Sequence, residues 1–280
     1  CIRDSCWYRT SQGRPVETMV ESASTDGLFH SRYENDMRWT IMWENQRPDV
    51  SGVDDEADLF GNLLPYWIET FFKRESYLKV DGKPVLFFWR QQRFSPGTWQ
   101  SIRDQVDPGH NSIWIAEGVD MSYQSVFDGH HLYTVTWNPP TDVSATANKF
   151  SRWVQQARER YGSYRYWVAT AMPGYNDTRT GRGNAFARGR EDGAYYAQTW
   201  QAAINSNPAW VIITSFNEWP EGTYIAPSQA FGARYLGLTA EWAGRFKSGE
   251  AIVYTPPAPS APSSSDGEAG RGSVPTPPPT

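Results

Sequence analysis

Two glutamates three residues apart mark the part of the sequence best suited to chemistry. Glu218 and Glu221 lie in the stretch Ser215–Ile225, SFNEWPEGTYI, directly after an apolar run. Pro220 disfavours a helical Trp219, so the two acids are expected on a turn rather than on one helix face. Two carboxylates in one pocket can cleave a glycosidic bond, because one protonates the leaving oxygen while the other acts as base or nucleophile. The alternative is structural, with Glu218 in a salt bridge at the rim and Glu221 in solvent.

Polar and aromatic side chains also follow the other apolar segments of the chain. Acids, amides and aromatic rings dominate these positions, with little histidine and no cysteine. This set of side chains suits glycan binding, and it suits phosphate binding, metal ligation or acyl transfer poorly. The segment-end residues are Trp7, Glu44, Arg90, Glu117, Trp137 with Asn138, Tyr175 with Asn176 and Asp177, and Asn217 with Glu218.

These residues can meet only if the apolar segments form one parallel sheet. Six short segments are nearly continuous in apolar character, as in strands covered on both faces, and helix-like patterns separate them. Strands that alternate with helices indicate a parallel sheet or barrel, whose active site lies at the C-terminal ends of the strands. The predicted strands are Arg38–Glu44, Pro84–Trp89, Ser112–Glu117, Tyr133–Trp137, Tyr166–Ala171 and Trp210–Phe216. The predicted helices are Asp58–Lys73, Thr98–Gln105, Ala147–Tyr161, Ala194–Ser206 and Gln229–Lys247.

The strand count favours a (β/α)8 barrel of the triosephosphate isomerase type that lacks its first strand in this chain. Ile2–Trp7 is interpreted as the end of a seventh strand, and Thr18–Ser24 as the helix that follows it. A doubly wound open sheet is the competing architecture. No glycine-rich phosphate turn follows any predicted strand, which argues against it.

Composition sets the broad class of the protein. The formal net charge is -5, so no basic footprint indicates nucleic-acid binding, and no apolar run approaches the length of a membrane span. The 14 Trp and 15 Tyr supply rings for both core packing and sugar stacking. We predict a barrel domain over residues 1–250, truncated at its N-terminus, and a disordered Pro- and Ser-rich linker or tail over residues 251–280. Such a tail is typical of chains with an additional module beyond it, and we expect a secreted or cell-surface protein.

Three motifs in the C-terminal half resemble glycoside hydrolase family 99, the endo-α-mannosidases, and the related WbsX-like proteins. They are MPGYNDTR from Met172, the helix start AYYAQTW, and the SFNEWPEGTYI stretch, and they occur in the family's order at similar spacing. SCWYR, IMWEN, GKPVLFF and FDGHHLYTVTW resemble the family more weakly. The resemblance covers about Cys6 to Phe246.

The resemblance implies roles for individual residues. Glu218 matches a base that deprotonates the substrate's own 2-hydroxyl to give a 1,2-anhydro sugar, and Glu221 matches the general acid and later base. Tyr175 matches a tyrosine near the reacting sugar, and we count it as catalytic. We expect the substrate-binding residues to be Trp7, Glu44, Trp137, Asn217 and Trp219. No metal or organic cofactor is implied.

The expected activity is cleavage of internal α-glycosidic linkages in an α-mannan-like or related glycan, with retention of configuration. The partner is an oligosaccharide or polysaccharide. A non-catalytic or accessory polysaccharide-binding barrel, associated with surface glycan biosynthesis, is the alternative. A glycosyltransferase is the third hypothesis, but no diphosphate cradle of the usual kind is present. After TYI the family usually has Glu, where this chain has Ala226.

Overall fold

A computed structural model describes residues 31–44 and 61–249 in full, and the backbone of residues 2–5, 7–9, 15–17 and 59–60. The strands in these ranges are β1 (Ile2–Ser5), β2 (Trp7–Arg9), β3 (Pro15–Glu17), β4 (Thr40–Glu44), β5 (Lys79–Val80), β6 (Lys83–Trp89), β7 (Ile113–Glu117), β8 (Gly129–His131), β9 (Tyr166–Ala171), β10 (Tyr175–Asn176), β11 (Ala187–Arg188) and β12 (Trp210–Ile213). The α-helices are α1 (Leu64–Thr70), α2 (Pro96–Val106), α3 (Val143–Tyr161), α4 (Ala194–Asn205) and α5 (Arg234–Ser248).

One parallel sheet organises the fold. Its strands follow the order β1, β4, β6, β7, β8, β9, β12, and every neighbouring pair in that series is parallel. Helices connect the strands and cover the sheet, which curls into half of a barrel. The predicted (β/α) barrel class is therefore confirmed.

The described residues also form three antiparallel strand pairs. β5 pairs with β6, β2 pairs with β3, and β10 pairs with β11. The sequence patterns predicted none of these pairings, and the β10–β11 hairpin is the one that matters for the site. The predicted helix Thr18–Ser24 and the predicted tail over residues 251–280 lie outside the described residues.

Alternate residues of the central strands are buried on opposite faces of the sheet. Along β6, Leu86 and Phe88 pack under the helices in an aromatic cluster with Trp99, whereas Val85 and Phe87 pack on the inner face. A strand buried on both sides needs apolar residues at every position, which explains the continuous run PVLFFW. Many of the aromatic rings are therefore core residues.

The predicted strand Tyr133–Trp137 is wrong, because the strand is β8, four residues earlier. Its sequence, Gly-His-His, lacks an apolar pattern, although both histidines are buried. Gly129 is required by close packing, since a β-carbon there would lie 2.5 Å from Cδ1 of Ile115 and 2.7 Å from the carbonyl oxygen of Tyr166. Residues 133–137 form the loop that follows the strand.

The other elements agree with the predictions to within a few residues. β9 has the predicted bounds, and β12 ends at Ile213 rather than Phe216, just before a cis peptide bond between Thr214 and Ser215. α3 begins at Val143, four residues before the predicted start, where the Asp142 side chain accepts hydrogen bonds from two backbone N–H groups. α5 begins at Arg234, five residues after the predicted start. None of the described helices is both long enough and apolar enough to cross a membrane.

Two neighbouring histidines on β8 are buried, and none of the described residues forms an ion pair with either of them. Nε2 of His130 lies 2.5 Å from the carbonyl oxygen of Gly118, and Nε2 of His131 lies 3.0 Å from that of Phe88. Burial lowers the pKa of His130 to about 4 and that of His131 to about 3, because the protonated imidazole loses its hydration. Both rings are therefore neutral in the folded protein at neutral pH.

We predict that the free energy of unfolding falls when the pH drops from about 7.5 to about 5. The unfolded chain takes up protons near the ordinary histidine pKa of about 6.5, whereas the folded chain resists them. The stability that the two neutral histidines give the folded chain is complete above the unfolded-state pKa of about 6.5. It is lost as the pH falls toward their depressed folded-state pKa. The slope from each histidine approaches about 1.4 kcal/mol per pH unit once the pH is well below 6.5. Urea unfolding at several pH values measures the slope.

His130→Gln and His131→Gln should each reduce this slope. The matched control is Gln155→Ala, because Gln155 is exposed on α3 and the substitution changes no titratable group. A stability that stays constant across the window would contradict the burial of two neutral histidines.

Candidate active site

The loop with the two glutamates is closed by contacts between Ser215 and Thr223. The Ser215 backbone N–H donates to the Thr223 carbonyl oxygen at 3.0 Å, and the two hydroxyl oxygens lie 2.7 Å apart. The Ser215 hydroxyl also accepts a hydrogen bond of 2.9 Å from the backbone N–H of Glu218. Because Thr223 is fully buried, this pair fixes both ends of the loop against the sheet.

Arg190 anchors the second half of the same loop. Its Nη2 donates to the carbonyl oxygens of Gly222 at 2.8 Å and Tyr224 at 2.7 Å. Its guanidinium also lies 4.3–4.7 Å from three aromatic ring centres, those of Tyr224, Phe231 and Tyr235. Arginine over aromatic faces combines cation–π attraction with hydrogen bonding, so this residue holds the chain that follows Glu221.

The hairpin β10–β11 docks against the loop at Glu221. The Asn176 backbone N–H donates to the Glu221 carbonyl oxygen at 2.8 Å. Gly222 adopts a φ of 63°, and a β-carbon there would lie 3.1 Å from the Asn176 backbone nitrogen. Both the left-handed conformation and the close approach favour glycine directly after the second acid.

Both glutamates line one cavity of about 520 Å³ at the C-terminal ends of the parallel strands. Such a volume lies in the range of small-ligand sites. The lining brings together residues from β4, β6, the β8 and β9 connections, the β10–β11 hairpin and the loop after β12. They are Met42, Glu44, Trp89, Arg90, Tyr133, Tyr175, Asp177, Arg182, Asn184, Phe186, Glu218 and Glu221.

Glu221 has a charged partner from the hairpin. Nη1 of Arg182 lies 2.8 Å from Oε1 of Glu221 and 3.5 Å from Oδ2 of Asp177. The hydrogen bond to Glu221 raises the pKa of Arg182 above its ordinary value. Asp177 is itself held in place, because its Oδ1 accepts a 2.8 Å hydrogen bond from the backbone N–H of Phe186. The hairpin thus supplies the cation that faces the acids.

Tyr175 stands between the hairpin and the acids. Its ring stacks on Phe186, with ring centres 4.6 Å apart and planes 23° from parallel. Burial raises the pKa of Tyr175 above its ordinary value, and the negative charge of Glu221 and a hydrogen bond to Asp177 raise it further. The phenol therefore remains protonated at neutral pH and can donate a hydrogen bond.

Four of the predicted site residues meet in this cavity: Glu44, Tyr175, Glu218 and Glu221. Trp137 does not line it; its ring packs against the apolar cluster beneath α3. Asn217 is exposed, and its carbonyl oxygen accepts a hydrogen bond from the Trp219 backbone N–H. Trp219 is 49% exposed and lines a neighbouring groove. For Trp7 only the backbone is described, so the place of its side chain lies outside the described residues.

Sequence reasoning missed Arg182, Asn184 and Phe186. They lie in the hairpin segment TRTGRGNAFARGR, which has no periodic pattern. Its four arginines were the available signal, since an opposite charge is the simplest partner for the predicted pair of carboxylates. Tyr133 was also missed as a site residue, because it was assigned to a strand rather than to the loop after β8.

Comparisons with known proteins identify the family of this chain. The family model described as glycosyl hydrolase family 99 matches residues 53–240. A zebrafish protein named glycoprotein endo-alpha-1,2-mannosidase-like protein is 38% identical over 275 residues, covering 86% of this chain and 59% of the relative. Its human counterpart is 37% identical over 283 residues, covering 86% and 57%. The chain thus spans somewhat less than 60% of the length of these relatives.

Solved structures show the same fold. The GH99 endo-alpha-mannosidase from Bacteroides thetaiotaomicron aligns with a TM-score of 0.65 at 23% identity, covering 83% of this chain and 72% of that one. The family model matches most of the described sheet, and the solved structure has the same fold. The chain belongs to glycosyl hydrolase family 99.

Proposed function

We propose that this protein cleaves internal α-mannosidic linkages, with Glu218 and Glu221 as the reacting carboxylates. The observation that carries the proposal is that both glutamates, three residues apart on one clamped loop, line a single cavity at the strand ends. Family membership and the names of the relatives, which are endo-α-1,2-mannosidase-like proteins, support the same activity.

In the first step, Glu218 removes the proton from the 2-hydroxyl of the sugar to be cleaved. The resulting O2 attacks C1 while the bond from C1 to the leaving oxygen breaks, and Glu221 protonates that oxygen. The product is a 1,2-anhydro sugar. In the second step, Glu221 takes a proton from water, the water oxygen attacks C1 while the C1–O2 bond breaks, and O2 regains its proton from Glu218. Two displacements at C1 retain its configuration.

The contacts of Glu221 among the described residues leave one of its carboxyl oxygens open to a substrate. Arg182 engages Oε1, and within the described residues no hydrogen bond engages Oε2. A carboxyl group held through one oxygen keeps the other for the glycosidic oxygen, and its orientation is fixed before substrate arrives. The Arg182 contact therefore positions the acid.

The rest of the cavity provides binding groups for a sugar. Tyr175, as a neutral phenol, donates a hydrogen bond close to the acids, and Glu44 accepts hydrogen bonds from hydroxyl groups. Trp89 and Tyr133 meet edge to face, with ring centres 6.0 Å apart, and Arg90 lies over the Trp89 ring at 4.2 Å. Aromatic faces flanked by a few polar groups are typical of carbohydrate sites.

Replacing Glu221 by Gln should have an effect that depends on the leaving group. We expect turnover of unactivated α-mannosides to fall by about 100-fold or more, because the glutamine cannot protonate the leaving oxygen. Aryl or fluoride glycosides leave without protonation and should retain much of their first-step rate. Initial rates of the variant and the parent on each substrate class give the ratio of variant to parent turnover for that class.

Glu218→Gln is the contrasting variant, since it should slow both substrate classes by removing the base for the 2-hydroxyl. A 2-deoxy substrate should bind without turning over. Glu241→Gln is the matched control, because Glu241 is exposed on α5 and pairs only with Arg245 among the described residues. Equal losses on both classes for Glu221→Gln would overturn the assigned roles. Unchanged hydrolysis in both variants would place the reacting carboxylates elsewhere, and absence of hydrolysis by the parent protein would favour the non-catalytic alternative.

Thr223→Val tests whether the clamp positions the acids. Valine has nearly the shape of threonine but cannot pair with the Ser215 hydroxyl, so the unfolding free energy should fall by about 1–2 kcal/mol. Turnover should fall by about tenfold, because small displacements of reacting groups are costly. Thr141→Val is the matched control at an exposed position. Loss of stability with full turnover would show that the clamp supports the fold but not the chemistry.

A further inference from the structure

A second cavity adjoins the catalytic one. It has a volume of about 510 Å³, and Tyr175 lines both cavities. Three neighbours of Glu221 in the chain face this second cavity, which we call the basic groove. It is lined by Tyr175, Asn176, Arg179, Ala187, Arg188, Gly189, Arg190, Trp219, Pro220, Gly222, Tyr224 and Phe231.

The position of the groove relative to Glu221 indicates which part of a substrate would enter it. Glu221 lines the catalytic cavity, whereas Trp219, Pro220 and Gly222, on either side of it in sequence, line the groove. A proton donor lies next to the leaving oxygen. The sugars beyond that oxygen therefore extend past Glu221 toward the groove.

An exposed aromatic ring in the groove fits a sugar. The Trp219 side chain is 49% exposed, and its ring lies against Tyr224 with centres 4.1 Å apart and planes 36° from parallel. This contact fixes the indole while leaving part of its surface to solvent. A fixed, half-exposed indole offers an apolar surface for the C–H face of a pyranose.

The charges of the two cavities are opposite. The catalytic cavity is lined by four carboxylates and two arginines, which gives it an excess of two negative charges. Among the described residues, the basic groove is lined by Arg179, Arg188 and Arg190 and by no aspartate or glutamate. This cluster lies in a chain whose formal net charge is -5, so overall composition does not explain it.

The three arginines are neutralised to different degrees. Arg179 is exposed and has no ion pair within the described residues, while Arg190 donates to backbone carbonyl oxygens rather than to a carboxylate. Arg188 pairs with Glu191 at 2.9 Å, but both side chains are partly exposed, and such pairs are weak. The groove therefore keeps positive potential for an anion, and guanidinium groups bind phosphate, sulfate and carboxylate well.

We propose that the basic groove binds the leaving-group side of the glycan and selects a sugar with an anionic substituent. The substituent is a phosphate monoester, a sulfate ester or a uronic acid carboxylate. Trp219 supports the sugar ring, and Arg179 and Arg188 contact the anion. This inference rests on the proposed function, because it takes Glu221 as the group next to the leaving oxygen.

The test compares matched α-mannotetraoses that are neutral or have a phosphate, a sulfate or a uronate on a leaving-side sugar. Hydrolysis at low salt should favour at least one anionic tetraose over the neutral one by about tenfold in kcat/KM. The three anionic arms identify the substituent. Raising the salt concentration from about 0.02 M to about 0.5 M should reduce the preference, because exposed charges are screened.

Arg179→Gln and Arg188→Gln should each reduce the ratio of anionic to neutral kcat/KM, and the double variant should bring it close to one. Arg152→Gln, at an exposed position on α3, is the matched control and should leave the ratio as it is. A preference for the neutral tetraose, or an unchanged ratio in the double variant, would overturn the inference.

Two further measurements separate this inference from the proposed function. Turnover of an aryl α-mannobioside, which has no leaving-side sugar, tests the proposed function alone. Calorimetric binding of the three anionic tetraoses and the neutral one to the Glu218→Gln variant tests the groove without hydrolysis. If no substrate is cleaved, tighter binding of at least one anionic tetraose still supports the groove assignment, and binding of all three no tighter than the neutral tetraose refutes it.

Discussion

The site depends on the parallel direction of the main sheet. The seven strands β1, β4, β6, β7, β8, β9 and β12 run the same way, so their C-terminal ends meet at one edge. Side chains that are distant in sequence meet there. The same geometry buries both faces of β6, with Phe87 packed on the inner face and Phe88 packed beneath the helices. Glu44 is the last residue of β4 and Glu218 lies in the loop after β12, and both line the cavity at this edge.

Sequence patterns predict this architecture well where strands are apolar and poorly where they are not. β6 and β9 were predictable, because every position had an apolar or β-branched residue to bury. β8 was not, because Gly-His-His forms a strand only through its neighbours. Gly129 makes room for Ile115, and Nε2 of each histidine donates to a backbone carbonyl oxygen of another segment. Tertiary contact overrides local propensity at such a position.

The residues of the candidate site also fall into those that the sequence predicted and those that it did not. Glu218, Glu221 and Tyr175 were predictable, since each follows a strand in a short motif of recognisable composition. Arg182 was not, because its place beside Glu221 depends on the β10–β11 hairpin, whose pairing no local pattern marks. Trp219 was predicted as a sugar platform, but the direction of its side chain is set by packing on Tyr224, which places it in the basic groove. Trp137 follows a strand in sequence and still points into the core.

The electrostatic arrangement links the chemistry to the choice of substrate. Clustered acids in the catalytic cavity repel anions, so an anionic glycan needs positive potential where its leaving side lies. The hairpin supplies arginines to both cavities, with Arg182 at the acids and Arg179 and Arg188 at the groove. The stereochemistry of hydrolysis tests the central claim most directly. Anomeric proton NMR during early turnover of an α-mannan oligosaccharide should show the α-anomer first, because two displacements at C1 retain its configuration. A β-anomer as the first product would mean that water attacks C1 directly, which would contradict the assigned roles of Glu218 and Glu221.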